Sequence, residues 1–482
     1  MLDFRPIFFV IGVLLTTLAV AMAVPAATDA LAGNEDWLVF AVSSGFTLFT
    51  GGALVLACRV TKLHLTIRQA FLLTTLSWLA ITVFAALPLA FANLGLSYTD
   101  AFFEAMSGLT TTGSTVIVGL NYAPPGILLW RGILQWLGGI GIIVMAMAVL
   151  PFLQVGGMRL FQLESSDKFE KALPRIAQIL SGIVIIYSSL VALCAFSLRA
   201  LGMSWLEAVV HAMATLSTGG FSTADASIGY FHNPAIEWTI TVFMLLGGLP
   251  FVLYLRAVRG DLLPLVRDSQ ARWFLGAVLF YVLLMAGWLW AMHGYAVEEA
   301  LRYAAFNVVS IMTTTGFVTA SYDLWGSFAL ILFFLLMFVG GCAGSSVGSI
   351  KIFRYQVLYA AMQAQTKRLL HPHGVFVPYY NRRPVSESVI FSVLSFIFLF
   401  MLCFVVLAAG LGLLGLDFLT ATSGAATAMA NVGPGLGSVI GPDGNFAHLP
   451  DAAKWLLAAG MLLGRLEIFT VLVLFAPHFW RD

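Results

Sequence analysis

One short segment, Asp100-Ala-Phe-Phe-Glu-Ala-Met-Ser-Gly-Leu-Thr-Thr-Thr-Gly-Ser114, recurs along this chain in altered forms. The second copy, Glu207-Ala-Val-Val-His-Ala-Met-Ala-Thr-Leu-Ser-Thr-Gly-Gly-Phe221, keeps the acidic residue and the methionine 13 and 7 residues before its last glycine. Two further copies end as Ser310-Ile-Met-Thr-Thr-Thr-Gly-Phe317 and Ala428-Met-Ala-Asn-Val-Gly-Pro434. The aligned glycines stand 107, 96 and 117 residues apart, and self-similarity at this spacing indicates four copies of one structural unit.

The chain around these copies is strongly apolar. Hydrophobic residues make up 60% of the 482 residues and charged residues only 10%, whereas soluble proteins carry about 25% charged residues. The mean hydropathy of +0.95 therefore indicates a surface covered mainly by lipid. A net charge of +1 gives no reason to expect a nucleic-acid partner, and four isolated cysteines predict no zinc site.

Apolar runs of roughly 20 residues, long enough to cross a bilayer, predict ten transmembrane helices at 5–27, 37–58, 70–92, 127–151, 176–201, 234–256, 272–293, 326–348, 387–413 and 452–477. The recurring segments are too short to cross and are interpreted as re-entrant, at 99–112, 204–218, 298–314 and 417–431. We predict an all-α polytopic membrane protein with four helix–pore-loop–helix repeats around one pore, plus two N-terminal transmembrane helices. The predicted boundaries are 1–66 for the helix pair and 67–172, 173–268, 269–384 and 385–482 for the repeats.

Basic residues predict the orientation of these helices, because Lys and Arg accumulate on the cytoplasmic side. With the N-terminus inside, 19 of the 24 Lys and Arg residues fall on one side. The other side receives Arg131, Arg199, Arg302 and Lys454, and Arg465 lies within a span. Both termini are therefore predicted to be cytoplasmic, and the four short segments open to the outside.

Each recurring segment ends in a turn of small or hydroxyl residues followed by glycine. Non-helical backbone at membrane depth is tolerated only where it lines a wet cavity or is buried in protein. Four helix C-termini around one axis favour a cation, and rings of carbonyl oxygens select potassium by replacing its hydration shell. The predicted filter residues are Thr111, Thr112, Gly113, Thr218, Gly219, Gly220, Thr314, Thr315, Gly316, Asn431, Val432 and Gly433. The alternative is that these turns only join helices or let them pack closely.

A second glycine-rich segment, residues 339–350, interrupts the second helix of the third repeat. Interrupted spans mark sites near a transport pathway, so this segment is a candidate gate loop. Its candidate gate residues are Gly340, Gly341, Gly344, Ser345, Ser346 and Gly348. The alternative is a face for close helix packing, and a phosphate-binding loop is disfavoured because no Gly-Lys-Ser/Thr follows.

Arg465 is the other candidate gate residue, because a charge within a span is costly and marks a functional site. A cation beneath the filter would oppose ion passage and could anchor the gate loop. The alternative is an ion pair of Arg465 with Glu467 or another carboxylate. Lys351 and Arg354 are interpreted as anchors at the cytoplasmic surface, and the loop at about 355–386 as a docking surface or ordinary cytoplasmic charge.

The motifs Thr-Thr-Thr-Gly-Ser, Ser-Thr-Gly-Gly-Phe-Ser, Thr-Thr-Thr-Gly-Phe and Asn-Val-Gly-Pro-Gly, in this order, resemble the TrkH/TrkG/KtrB superfamily of potassium-translocating membrane subunits. The extra N-terminal helix pair is most similar to the bacterial TrkH branch. The resemblance implies potassium uptake across the bacterial cytoplasmic (inner) membrane by a homodimer with one pore per protomer. It also implies control by cytoplasmic TrkA-type nucleotide-binding subunits, with potassium as the transported ion and no bound cofactor.

In this family the interrupted segment is an intramembrane gate, an arginine at the place of Arg465 lies in the pore, and a glycine at the place of Gly113 favours potassium. Asn431 and Val432 depart from the hydroxyl pattern, so the fourfold symmetry is only approximate. Coupled symport of potassium with sodium or protons is the alternative, although the spans contain few carboxylates or histidines. No sequence motif of an enzyme is present, so the chain is not predicted to be one.

Overall fold

The computed structural model describes residues 3–60, 65–148, 169–381 and 383–480, and it is almost entirely α-helical. The predicted all-α membrane architecture is confirmed, with one short antiparallel ladder of β1 (Tyr379–Tyr380) and β2 (Arg383–Pro384). Five of the basic residues used to predict the orientation lie outside the described residues, namely Lys62, Arg159, Lys168, Arg382 and Arg481.

The N-terminal half contains the helix pair and the first two repeats. The pair consists of α1 (Arg5–Ala32) and α2 (Trp37–Ala57). The first repeat has α3 (Ile67–Phe91), the re-entrant α4 (Tyr98–Leu109) and α5 (Pro125–Ala148). The second repeat has α6 (Phe169–Ala200), the re-entrant α7 (Trp205–Leu216), α8 (Pro234–Gly248), α9 (Phe251–Val258) and the short α10 (Leu263–Arg267).

The third and fourth repeats make up the C-terminal half. The third has α11 (Ser269–His293), the re-entrant α12 (Val297–Met312), α13 (Ser327–Leu336) and α14 (Ile352–Leu370). The fourth has α15 (Glu387–Leu413), the re-entrant α16 (Phe418–Ala430), α17 (Asp451–Arg465), α18 (Phe469–Leu472) and α19 (Pro477–Trp480).

Three of the ten predicted spans are wrong in detail, because the second helices of repeats 2, 3 and 4 are broken. Within the described residues seven helices are long and apolar enough to cross a membrane. The predicted span 234–256 bends by 95° between α8 and α9, and 452–477 bends by 107° after α17. In the predicted span 326–348 the helix ends after ten residues at Leu336, and the gate loop follows.

Three of the four re-entrant helices begin at a side-chain cap, and all four end deep in the protein. Ser97 and Ser204 accept hydrogen bonds from the backbone of the acidic residues three positions later, Asp100 and Glu207. Asp417 caps α16, where hydrogen bonds from Thr420 lower the pKa of its carboxyl group. These caps satisfy backbone donors at the entrance of hairpins 1, 2 and 4 and fix where the short helix starts.

Glycines in the second helices let the backbone approach the C-terminal ends of the re-entrant helices. A Cβ atom on Gly138 or Gly464 would lie only 1.9 Å from the carbonyl oxygens of Leu109 and Met429, respectively. A Cβ atom on Gly247 would lie 3.2 Å from the carbonyl oxygen of Leu216. The second helices of repeats 1, 2 and 4 therefore hold the re-entrant helix ends in place through close backbone packing.

Candidate functional site

The four re-entrant helices end in the same backbone turn. We name the segments that follow them filter loops 1 to 4, at residues 110–113, 217–220, 313–316 and 430–433. The second residue of each loop has a left-handed conformation, with φ of 51° at Thr111, 54° at Thr218, 52° at Thr314 and 56° at Asn431. In loop 1 the N–H of Thr112 donates to the carbonyl of Ser107, five residues earlier, at 2.8 Å. Each other loop has the equivalent hydrogen bond from the N–H of its third residue to the carbonyl five residues before. This pattern is the Schellman motif, in which the left-handed residue is usually glycine and sometimes asparagine.

This geometry explains why Asn431 departs from the threonine pattern. Asparagine tolerates left-handed dihedrals, whereas a β-branched threonine there is an outlier that costs about 1–3 kcal/mol. The hydroxyls of Thr218 and Thr314 make hydrogen bonds that offset part of this strain, whereas the buried hydroxyl of Thr111 has no hydrogen-bond partner among the described residues. The Thr314 hydroxyl accepts a hydrogen bond from the N–H of Gly348 in the gate loop at 2.8 Å.

The loop glycines form a closed ring around a single axis. Each glycine packs against the carbonyl oxygen that precedes the glycine of the next loop, in the order 1, 2, 3, 4 and back to 1. A Cβ atom on Gly113 would lie 2.2 Å from the carbonyl oxygen of Gly219, and one on Gly220 would lie 1.8 Å from that of Thr315. A Cβ atom on Gly316 would lie 2.0 Å from the carbonyl oxygen of Val432, and one on Gly433 would lie 2.8 Å from that of Thr112. All four glycines line one shared vestibule. The predicted filter glycines therefore come together, and no side chain larger than hydrogen fits at these positions without movement.

Side chains and outer loops also join neighbouring repeats. The Asn431 amide donates to the Thr112 hydroxyl at 2.9 Å, and the Ser114 hydroxyl donates to the Gly433 carbonyl at 2.7 Å, which joins loops 4 and 1. Further out, the backbone or side-chain pairs that link consecutive repeats are Gly119–Asp225, Gly229–Val318, Ser321–Asp443 and Phe446–Thr115. These contacts link repeat 1 to 2, 2 to 3, 3 to 4 and 4 to 1, and each of the four links is formed by different residues.

Buried ion pairs brace the re-entrant helices, and the sequence alone did not reveal them. Arg131 on α5 pairs with Glu104 on α4 at 2.8 Å, donates to the Ser222 carbonyl at 2.7 Å and lies 4.0 Å from the centre of the Phe221 ring. Comparable pairs join Lys454 to Asp100 and Arg302 to Glu237. The available signal was the charge of Arg131 inside an apolar run, but its partners lie on other elements and could not be inferred from spacing.

The gate loop lies against the inner ends of the re-entrant helices. The Ser346 hydroxyl donates to the Leu216 carbonyl at 2.8 Å, and a Cβ atom on Gly348 would lie 2.5 Å from the Ala430 oxygen. Gly344 accepts a hydrogen bond from the N–H of Phe251 at 3.0 Å. The loop therefore contacts repeats 2, 3 and 4 on the side of the filter opposite to the vestibule.

Arg465 reaches this loop from the end of α17. Its guanidinium donates to the Ser346 carbonyl at 3.0 Å, and its side chain lines a small cavity with Gly348 and Lys351. The predicted alternative, an ion pair with Glu467, is wrong because Glu467 pairs with Arg354 instead. The helix breaks directly after Arg465, and Glu467 and Ile468 have positive φ values of 60° and 40°.

The interpretation of Lys351 and Arg354 as surface anchors is also wrong. Their exposed fractions are only 8% and 0%. The ammonium group of Lys351 donates to the Val347 carbonyl, and Arg354 lies 3.5 Å from the centre of the Phe396 ring while it pairs with Glu467. Arg465 and Lys351 thus hold two consecutive carbonyls of the gate loop, those of Ser346 and Val347.

The chain is similar to transport proteins along its whole length. Residues 39–481 match the TrkH family model, described as a cation transport protein. The Trk system potassium uptake protein TrkI of Halomonas elongata is 49% identical over 481 residues, which cover 99% of this chain and 97% of that protein. The Trk system potassium uptake protein TrkH of Escherichia coli (strain K12) is 38% identical over 100% of both chains. The crystal structure of the potassium transporter TrkH from Vibrio parahaemolyticus matches with a TM-score of 0.92 and 38% identity over 100% of both chains. This chain therefore belongs to the TrkH family of cation transport proteins.

Proposed function

We propose that this chain mediates potassium uptake through the four filter loops. The observation that carries the proposal is the closed ring in which each loop glycine meets a carbonyl oxygen of the next loop. Peptide oxygens gathered around one axis can replace the hydration shell of a potassium ion. The relatives are named potassium uptake proteins, which supports potassium as the transported ion. The function is transport and not enzymatic catalysis.

The gate in this proposal is the loop at residues 339–350, held closed by Arg465. A guanidinium beneath the filter repels a cation, and its hydrogen bond to Ser346 keeps the loop against the filter. Family membership supports the remaining parts of the proposal. The chain forms a homodimer in the bacterial inner membrane, has both termini in the cytoplasm and opens under control of TrkA-type nucleotide-binding subunits.

Channel-like conduction is favoured over coupled symport by the state of the titratable groups near the pathway. Glu467 is engaged by Arg354. His211 on α7 is fully buried, and its ring nitrogens contact the Glu207 carbonyl at 2.8 Å and the Ser222 hydroxyl at 2.9 Å. Both groups therefore serve the packing of the fold. Potassium flux at fixed voltage, measured with and without proton and sodium gradients, separates the two mechanisms, because only a symporter requires the gradient.

The proposed function is tested with the full chain in liposomes. We expect potassium flux to exceed sodium flux, and we expect Gly113→Ser to reduce this preference because its side chain would displace the Gly219 oxygen. A wild-type protein that carries neither ion, or one whose selectivity ignores this substitution, would contradict the proposal. Potassium-dependent thermal stabilisation in detergent detects ion binding even when the gate stays closed.

A further inference from the structure

Filter loop 2 differs from loops 1 and 3 at one position. Thr112 and Thr315 precede the loop glycine in loops 1 and 3, and their hydroxyls lie 2.8 Å from those of Thr110 and Thr313. These hydroxyl pairs lie within each filter loop and link the residue before the glycine to the first residue of the loop. Loop 2 has Gly219 at this position, so it lacks the side chain that makes the connection.

The amide of Gln135 on α5 occupies the space of the missing side chain. A Cβ atom on Gly219 would lie 2.4 Å from the amide carbon of Gln135 and 2.7 Å from both its nitrogen and its oxygen. Gln135 is fully buried. Gly219 is therefore required here because a side chain from another repeat fills its place, and the two residues form one complementary pair.

Both polar atoms of this amide bond to the backbone of loop 2 or of the residue directly after it. Its nitrogen donates to the Gly219 carbonyl at 2.6 Å, and its oxygen accepts from the N–H of Phe221 at 3.1 Å. Arg131, one turn earlier on α5, donates to the Ser222 carbonyl at 2.7 Å. One face of α5 thus holds three backbone groups between residues 219 and 222, at the outer end of loop 2.

The Gly219 oxygen is also a member of the ring, because it is the oxygen that faces Gly113 of loop 1. A donor on this oxygen fixes its direction and draws away part of its negative charge. The field strength and the placement of ring oxygens determine which ion replaces its water most favourably. A change at Gln135 would therefore alter one quarter of the ion's coordination shell without touching the ion directly.

We propose that Gln135 is a positioning residue for ion selectivity, whose amide sets the direction and field of the Gly219 carbonyl and takes the role that threonine has in loops 1 and 3. This inference rests on the proposed function, potassium passage through the four filter loops. It concerns only the discrimination of potassium from sodium. A packing role alone would lower stability and leave the ratio of the two ions unchanged.

The test uses Gln135→Met, Gln135→Ala, Gly219→Thr and the double variant Gln135→Ala/Gly219→Thr in the full chain. The methionine variant keeps the length of the side chain but has no hydrogen-bond donor, so the Gly219 carbonyl loses its partner. We expect each single variant to lower the potassium-to-sodium flux ratio by about tenfold, the size expected for loss of one buried hydrogen bond. We expect the double variant to recover most of the ratio, because the threonine then has space and can bond to Ser217 as its counterparts do.

A second measurement keeps the test independent of the gate. The rise in melting temperature caused by potassium is compared with the rise caused by sodium for each variant in detergent. The matched control is Gln69→Met, since Gln69 is also buried but bonds to Thr66 and to the Asp3 carbonyl at the start of α3. We expect this control to retain the wild-type ion preference.

The outcomes distinguish the inference from the proposed function. A wild-type protein without potassium flux and without potassium-dependent stabilisation would refute the proposed function. A selective wild type together with a folded Gln135→Met variant of unchanged selectivity would overturn only the role of Gln135. A double variant that is no more selective than Gln135→Ala would overturn the idea that the amide stands in for threonine.

Discussion

Alanine substitutions at the four loop glycines test whether the ring of carbonyl contacts controls selectivity. Real Cβ atoms essentially never come within 3.0 Å of a neighbouring atom of this kind. At Gly220 the contact would be 1.8 Å, so the Thr315 oxygen must move by about 1.2 Å to reach that limit. The corresponding shifts are about 1.0 Å for Gly316→Ala, 0.8 Å for Gly113→Ala and 0.2 Å for Gly433→Ala, from contacts of 2.0, 2.2 and 2.8 Å.

Functional groups must stay within about 0.5 Å of their productive geometry. Three of the four variants exceed this tolerance, and Gly433→Ala does not. We therefore expect the first three to lower the potassium-to-sodium flux ratio by at least about tenfold, which corresponds to about 1.4 kcal/mol, and Gly433→Ala to stay within about twofold of wild type. Flux of both ions into liposomes at a fixed membrane potential measures the ratio.

These glycines also have positive φ values, so an alanine there loses conformational free energy in addition to the effect of the contact. A control variant must separate the two effects. An alanine at positive φ loses about 1–2 kcal/mol wherever it stands. Gly294, at the end of α11, has φ of +68° and nothing within 4 Å of a Cβ atom. Gly294→Ala should therefore lower the melting temperature without changing selectivity. The reasoning from contact distance would be refuted if Gly433→Ala lost as much selectivity as Gly220→Ala. It would also be refuted if the alanine variants of Gly220, Gly316 and Gly113 all kept the wild-type selectivity.

Three further predictions concern the gate loop and the groups beneath it. Arg465→Met should raise basal flux by about ten- to a hundredfold, because the charged hydrogen bond to Ser346 is worth about 1.5–3 kcal/mol; unchanged flux would exclude this residue from the gate. Lys351→Met should also raise basal flux, whereas Lys351→Arg should not, since the arginine keeps the charge beside the loop. Glu467→Gln should destabilise the protein by about 3–5 kcal/mol because it leaves the buried Arg354 without its carboxylate, and Arg354→Met/Glu467→Met should recover part of the melting temperature lost.

The repeat architecture was predictable because it depends on local sequence signals. Spacing of the loop glycines and the length of the apolar runs identified four hairpins, and the gate loop was visible as a cluster of glycine and serine. The break between α8 and α9 also had a signal, since Pro250 follows two glycines in the predicted span 234–256.

Other features of the site could not be predicted, because they depend on contacts between distant residues. The break after α17 occurs at Glu467 and Ile468, which are not residues that favour positive φ, and the ion pair with Arg354 comes from another repeat. Positive φ values occur at the threonine or asparagine of each loop as well as at the glycine that the sequence emphasises, and nothing in the sequence indicated the former. Gln135 was not predicted either, since nothing in an apolar helix indicates which loop its amide will bind.

The proposed filter is made by one polypeptide and therefore differs in one respect from a filter assembled by four identical subunits. In the assembled kind a single substitution changes all four sides at once. Here Asn431 bonds to Thr112 of loop 1 and to Met461 of its own repeat, and Gln135 bonds to the backbone of Gly219 and Phe221 in repeat 2. Each quarter of the pathway can therefore accept a mutation while the other three keep their geometry. Ion preference in such a molecule can be adjusted in small steps, one junction at a time.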